Sequence, residues 1–238
     1  MKKLLFFLLG IIFMFGNGFN LDAMLKDEKI DPYFDTTKYN TSIIYTISEE
    51  NATKEQVQDL VVKIEERLPL YYTESEVLVR DGKEIIINVD SYEDTTEIMD
   101  EIMKPAVIEF LSEAEYQNKE NGDAYEILLD GFDIEDAQAE AFLNGMGMRE
   151  HAVYLQLTES ATLEFEEYTQ NNIGGIIYVL YDGEIITAPY IGTCISDGVV
   201  LINGISSYEE ANQIASFIRI GQLPLTLELK EIKENEGK

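Results

Sequence analysis

Apolar positions along the chain alternate between two rhythms, and each change of rhythm marks a predicted element. Residues 41–47 (TSIIYTI) have the β-branched and aromatic content of a strand. From Thr53 the period lengthens. Val57, Leu60, Val61, Ile64 and Leu68 make one helical stripe, Thr53 and Gln56 are spaced as a capping box, and Pro69 ends the run. EVLVR and EIIINV flank Asp81-Gly82, a pair that tolerates the positive φ angles of a tight hairpin. A second helix is predicted from about residue 92 to 104, capped by Ser91, with Ile98 and Ile102 inward and Pro105 closing it. AVIEFL (106–111) then returns as a strand. The order β-α-β-β-α-β predicts a ferredoxin-like base within an α+β chain.

A polar, Gly-containing stretch at 117–123 reads as a boundary. Beyond it, YEILL predicts a strand and residues 134–142 a short acidic helix, with Gly145 and Gly147 in a loop. HAVYLQL (151–157) predicts a strand, and Thr158 or Ser160 caps a helix burying Ala161, Phe165 and Tyr168. IIYVLY and EIITA flank a second Asp-Gly pair, Asp182-Gly183. The last helix starts at Ser207 with Glu210 as capping-box partner, buries Ala211, Ile214, Ala215 and Ile218, and stops at Gly221 with Arg219 in its final turn. Pro224 opens LTLELKEI, whose alternation suits a strand with one wet face. If that strand returns to the first sheet, the second unit is an inserted head. The expected organisation is a connector at 22–40, the first part of the base at 41–116, the head at 123–221, a returning strand at 224–232 and a tail at 233–238.

Ahead of these units, Met1-Lys2-Lys3 precedes an uncharged run, LLFFLLGIIFMFG (4–16). As a helix it would be about 20 Å long, against a hydrocarbon core of about 30 Å. Extension to Leu21 takes in Asn17 and Asn20. Residues 1–21 fit either a cleaved signal peptide or a membrane anchor, with the Lys pair inside and the remainder extracytoplasmic. No lipobox cysteine follows.

Composition narrows the function classes. With 17 Lys and Arg against 46 Asp and Glu, the net charge of -29 repels phosphate, which excludes nucleic acid as a partner. A lone Cys194 precludes an intrachain disulfide. His151 is the single histidine and has no partner at metal-ligand spacing. Glu164, Glu166 and Glu167 surround one helix as a solvated face. Asp130, Asp133, Glu135 and Asp136 lack the alternating ligands and bidentate Glu of an EF-hand. Gly174-Gly175 precedes a strand, so it places no phosphate on a helix N-terminus. Sequons at Asn40 and Asn51 matter only in a glycosylating system. No Walker loop, dinucleotide fingerprint or Gly-x-Ser-x-Gly elbow is present. Catalytic, cofactor-binding and metal residues are therefore all expected to be none, no cofactor is expected, and the chain does not read as an enzyme.

Several segments, in order, resemble the extracytoplasmic domain of SecD, the accessory subunit of the bacterial preprotein translocase. IMKPAVIEF resembles the family's helix-to-strand segment, and DGFDIEDAQAEAF its Gly-Glu-Asp-Leu-x-x-Ala element. HAVYLQLTESATLEFEEYTQNNIGG resembles its strand and helix ending in an Asn-Ile-Gly step. Asp182, Gly183, Ala188 and Pro189 match its hairpin, and Arg219, Gly221, Leu223 and Pro224 its closing helix. The family's Leu-Gly-Leu-Asp-Leu-x-Gly-Gly signature is absent; PYFDTTKYNTSIIY stands there. The family's membrane bundle and its proton-relay aspartate are not in this sequence. The resemblance implies an extracytoplasmic module that binds unfolded or emerging preprotein, or docks on the Sec translocase or a separate membrane subunit, without a proton-driven motor of its own. The alternative is an exported α+β ligand-binding or adhesion domain unrelated to transport.

Overall fold

The structure, a computed structural model, describes residues 31–91 and 95–235. The hydrophobic segment predicted over 1–21 lies outside the described residues. Among the described residues, no helix is long and apolar enough to cross a membrane.

The first layer begins with β1 (Thr41–Ile47), α1 (Lys54–Arg67), β2 (Ser75–Arg80) and β3 (Glu84–Val89). Thr53 starts α1 as predicted: its hydroxyl accepts from Gln56 N at 3.2 Å while Gln56 Oε1 accepts from Thr53 N at 2.9 Å. The β2–β3 turn has positive φ at both central residues, 54° at Asp81 and 69° at Gly82, which matches the twist of the flanking strands. α2 (Thr95–Ile102) follows; the beginning predicted for it falls on residues outside those described.

β4 (Ile108–Ser112) corrects one expectation. The strand predicted to close the first sheet instead pairs with β8 (Ile177–Tyr181) on one side and β5 (Leu129–Asp130) on the other. The place beside β1 is taken by β11 (Leu227–Glu234), with Ile43 opposite Ile232 on one flank and Ile87 on the other. The resulting antiparallel order is β11-β1-β3-β2. A strand pattern reveals which residues alternate, but not which distant strand completes the ladder.

Between β4 and β5 runs α3 (Glu113–Asn121), where a polar boundary was expected. Ser112 caps it and Gly122 ends it in the left-handed region (φ 76°), yet the helix buries no residue. A second correction concerns residues 134–142. They form β6 (Ile134–Leu143), not an acidic helix, and pair along their length with β7 (Arg149–Leu157). Ala, Glu and Gln favour a helix intrinsically, but tertiary pairing overrides that preference. Small Ala137 and Ala139 are accommodated against α5 (Tyr208–Ile220), and Ala137 is fully buried.

The chain continues through α4 (Glu159–Asn171), β8, β9 (Glu184–Thr187) and β10 (Val199–Ile205). Two further sheets result, β10-β7-β6 and β5-β4-β8-β9. Thr158 caps α4, and Ser207 caps α5. Glu210 does not close a reciprocal box with Ser207; its carboxylate accepts the backbone N–H of Ser206 at 3.2 Å.

Two cores hold these layers. Ile43, Leu60, Ile64, Ile87, Met99 and Ile102 fill the base, joined by Leu223 and Leu225 from beyond α5. Phe110, Leu155, Phe165, Val179, Ile202 and Ala215 belong to the head core, with Phe110 and Phe165 edge-on at 6.4 Å. Each large apolar side chain so buried contributes about 2 kcal/mol.

Candidate functional site

A cleft of about 290 Å³ opens in the head between the β4–β8 and β7–β10 layers. Phe110, Phe165, Ile177 and Val179 form its floor, and Pro189, Tyr190 and Val199 line its rim. Tyr190 is 74% exposed, so a bulky aromatic stands at an apolar opening on a highly acidic molecule. Thr193 and the Tyr190 hydroxyl are the polar side-chain groups of the lining.

The rim is carried by the segment 188–199, and it is firmly seated. Gly174 N donates to Ile191 O and Ile191 N to Gly175 O, both at 2.8 Å. Thr169, buried in α4, accepts from Ile195 N at 3.0 Å while donating to Phe165 O at 2.8 Å. Gly198 closes the segment at φ 69°; a Cβ there would lie 2.3 Å from Thr162 Oγ1. This side of the cleft is therefore held in place by backbone and side-chain hydrogen bonds.

A second constellation fastens head to base. Arg67, the last residue of α1, is fully buried. Its Nη1 donates to Ile102 O at 2.9 Å and Lys104 O at 2.5 Å, and its Nη2 donates to Gly221 O at 3.0 Å. These carbonyls lie at the ends of α2 and α5, where helix dipoles leave partial negative charge for a cation to meet. The guanidinium also lies 4.5 Å from the Phe217 ring centroid. Burial lowers its pKa to about 10, which leaves it charged at neutral pH.

The β8–β9 turn completes this junction. Asp182 N donates to Val107 O and Asp182 Oδ1 accepts from Val107 N, each at 2.8 Å. Its other oxygen, Oδ2, is buried without a hydrogen-bond partner among the described residues, as are Tyr181 Oη and Arg67 Nε. Burial pushes the Asp182 carboxyl above its usual range, and burial likewise raises the Tyr181 phenol. Leu223 N donates to Pro105 O at 3.0 Å, so the two chain crossings between base and head are bonded to each other. Between Pro105 and Val107, Ala106 holds a left-handed φ of 63° and is buried. A wider, wetter cavity of about 500 Å³ lies alongside, lined by Glu101, Lys104, Glu184 and Gln213.

The residues weighed for chemistry are spread apart. His151 lies half-buried on β7, opposite Ala141 and Ile205. Cys194 lies in the rim, its sulfur 3.7 Å from Glu166 O. Asp130 and Asp133 cap a 3-10 turn at Gly131–Asp133 reciprocally, and Asp136 Oδ1 accepts from Ala137 N at 2.9 Å. Glu164 and Glu167 are exposed. Among the described residues, no group of three or more His, Cys, Asp or Glu is placed to hold a metal ion. Sequence reasoning missed Arg67 and read Asp182 as a turn former in a family-like hairpin, with no sign of its place at this junction. A basic residue in a helix's last turn is ordinary, and its burial depends on chain crossings far away in sequence.

Residues 109–225 match the family model described as SecDF, P1 head subdomain. A solved structure described as a membrane component SecDF that enhances protein export superposes with a TM-score of 0.66 at 27% identity, covering 82% of this chain and 100% of that one. This chain carries a SecD-family extracytoplasmic domain. Among curated relatives, the translocase subunit SecDF of Thermus thermophilus is 40% identical over 106 residues, 44% of this chain and 14% of that protein. SecD of Acidaminococcus fermentans is 31% identical over 156 residues, 65% of this chain and 34% of that protein. SecD of Sebaldella termitidis is 26% identical over 227 residues, 93% and 50% of the two chains. The chain thus spans half or less of the length of these SecD and SecDF relatives. The residues that matched the SecD closing helix have structural tasks here. Arg219 donates to Ala137 O at 3.2 Å, Gly221 ends α5 and supplies Arg67's acceptor, and Leu223 enters the base core.

Proposed function

We propose that this SecD-family domain assists protein translocation on the extracytoplasmic side by holding emerging, unfolded preprotein in the head cleft. The observation that carries the reading is the apolar cleft of about 290 Å³ with Tyr190 exposed at its rim. An apolar lining with few polar groups selects for apolar side chains without demanding a sequence, which suits a partner that is any secretory polypeptide. The relatives' names place them in the translocase, and the domain would work beside it.

In this reading β11-β1-β3-β2 is a ferredoxin-like base that carries the head as an insertion between α2 and β11. The base is the mount and the head is the hand; proton-driven movement would come from membrane helices outside this sequence. Residues 1–21 would deliver the domain to the outer face as signal or anchor. The test is a photo-crosslinking residue at Tyr190 with a secretory chain stalled during export. Adducts with the stalled chain are expected. Their absence at Tyr190, with adducts equally absent from Ile173 elsewhere on the head, sinks the reading. The Asp182 hairpin is unsuited as a probe site, because it is packed against Val107 at the junction.

A further inference from the structure

We propose that the open edge of β6 from Ala139 to Leu143, together with the hairpin tip beside it, binds an extended basic and apolar stretch of polypeptide by strand addition. The inference rests on the polypeptide-holding function above and adds a second contact and a backbone mode of recognition. It begins from which way the backbone of β6 faces. Ala137 O accepts from Arg219, so Ala137 presents its polar groups away from β7. At the other end Asn144 N donates to Met148 O at 2.8 Å, so Asn144 faces β7. Alternation along an antiparallel strand then turns Ala139, Ala141 and Leu143 outward.

Ala137 is already closed off, its N–H held by Asp136 and its carbonyl by Arg219. Beyond it the edge is open among the described residues: Ala141 is exposed and Leu143 is 69% exposed. Proteins usually protect such an edge with lysine, proline or a bulge. None stands between Ala139 and Leu143, and the register irregularity of β6 lies at its other end, between Ile134 and Asp136. The outer edge of β11 is different, since it carries Lys230 and Lys233.

The tip supplies side-chain contacts. Asn144 Oδ1 accepts from Met146 N at 2.9 Å and Met148 N at 3.0 Å, and Asn144 Nδ2 donates to Glu150 at 2.6 Å. That fixed turn leaves Met146 79% and Met148 53% exposed beside Leu143. Methionine's flexible, polarisable thioether adapts to varied partners. Charge selects further: from Glu120 to Met148 the chain has no Lys or Arg, and Asp136 and Glu140 flank the edge. An incoming strand therefore gains backbone hydrogen bonds from β6, apolar contact at the tip and ionic attraction from its own lysines.

The experiment uses the full chain and a fluorescent peptide of alternating leucine and lysine. Its control is the same peptide N-methylated on alternate residues, which keeps the charge and removes the edge donors. Binding of the parent peptide should slow amide hydrogen exchange at Ala139 and Ala141. The N-methylated peptide should bind about tenfold more weakly, as loss of one or two net hydrogen bonds requires. Ala141→Pro and Ala141→Lys should weaken the parent peptide similarly; both leave the β6–β7 ladder intact because Ala141 faces outward. Failure of the parent peptide to bind overturns the inference, as does unchanged exchange at both alanines or equal affinity for the N-methylated peptide. If these fail while Tyr190 still crosslinks to stalled chains, the cleft reading stands and the edge inference alone falls.

Discussion

Arg67 Nη2 donates to Gly221 O at 3.0 Å, which ties the end of the base helix α1 to the end of the head helix α5. The other two bonds of Arg67, to Ile102 O and Lys104 O, hold the stretch of chain leaving the base, so one guanidinium grips both crossings. Removing it by Arg67→Ala leaves three acceptors without their donor and a hole beside Phe217. The expected loss is about 3–5 kcal/mol in urea unfolding. Arg67→Lys keeps the charge but not the fork, and should lose about 1–2 kcal/mol.

Asp182 gives the junction a pH dependence of definite sign. Its carboxyl is raised above the ordinary 3.8 by burial, so the stabilising state is the protonated one. That contribution is fully present below the ordinary value and is lost as pH rises through the folded-state value. Asp182→Asn keeps an acceptor for Val107 N and removes the titration. Native protein should therefore gain stability relative to Asp182→Asn as pH falls from neutral toward the ordinary carboxylate value, measured by paired denaturant melts.

Gly198→Ala tests the rim. The new methyl meets Thr162 Oγ1 at 2.3 Å and the left-handed φ is strained for any side chain. A destabilisation of about 2–4 kcal/mol is expected. Adding Thr162→Ala should recover only part of it, because the clash is relieved and the backbone strain is not.

Floor and rim of the cleft should separate stability from binding. Phe165→Ala empties a core position and should cost about 3–5 kcal/mol. Tyr190→Ala touches an exposed ring, so stability should change by less than about 0.5 kcal/mol. Peptide crosslinking to a probe at Thr193, an exposed residue of the same lining, should nonetheless fall in Tyr190→Ala.

The sequence made plain whatever is settled within a few residues. Asp81-Gly82 and Asp182-Gly183 announce their hairpins, and Thr53 with Gln56 announces a helix start, because turn and cap chemistry is local. α3 had its cap at Ser112 and its stop at Gly122, but no apolar stripe, so periodicity passed over it. β6 was misread because its alanines and carboxylates favour a helix until β7 pairs with them. Arg67 was invisible for a different reason. Its neighbours Ile102, Lys104 and Gly221 meet it only after the chain has left the base and returned. The apolar residues of the cleft were legible as core, whereas the opening among them was not.

The pairing of Thr41 with Glu234 has a consequence for how the molecule assembles. On that flank β1 must wait for a strand almost the whole described chain away, and closing so long a loop from an open coil is slow. If the head folds first, it brings Pro105 and Leu223 together and shortens the remaining closure to the two arms. The head then acts as a clasp for the base, so damage to the head core should slow formation of the base sheet although no head residue belongs to it.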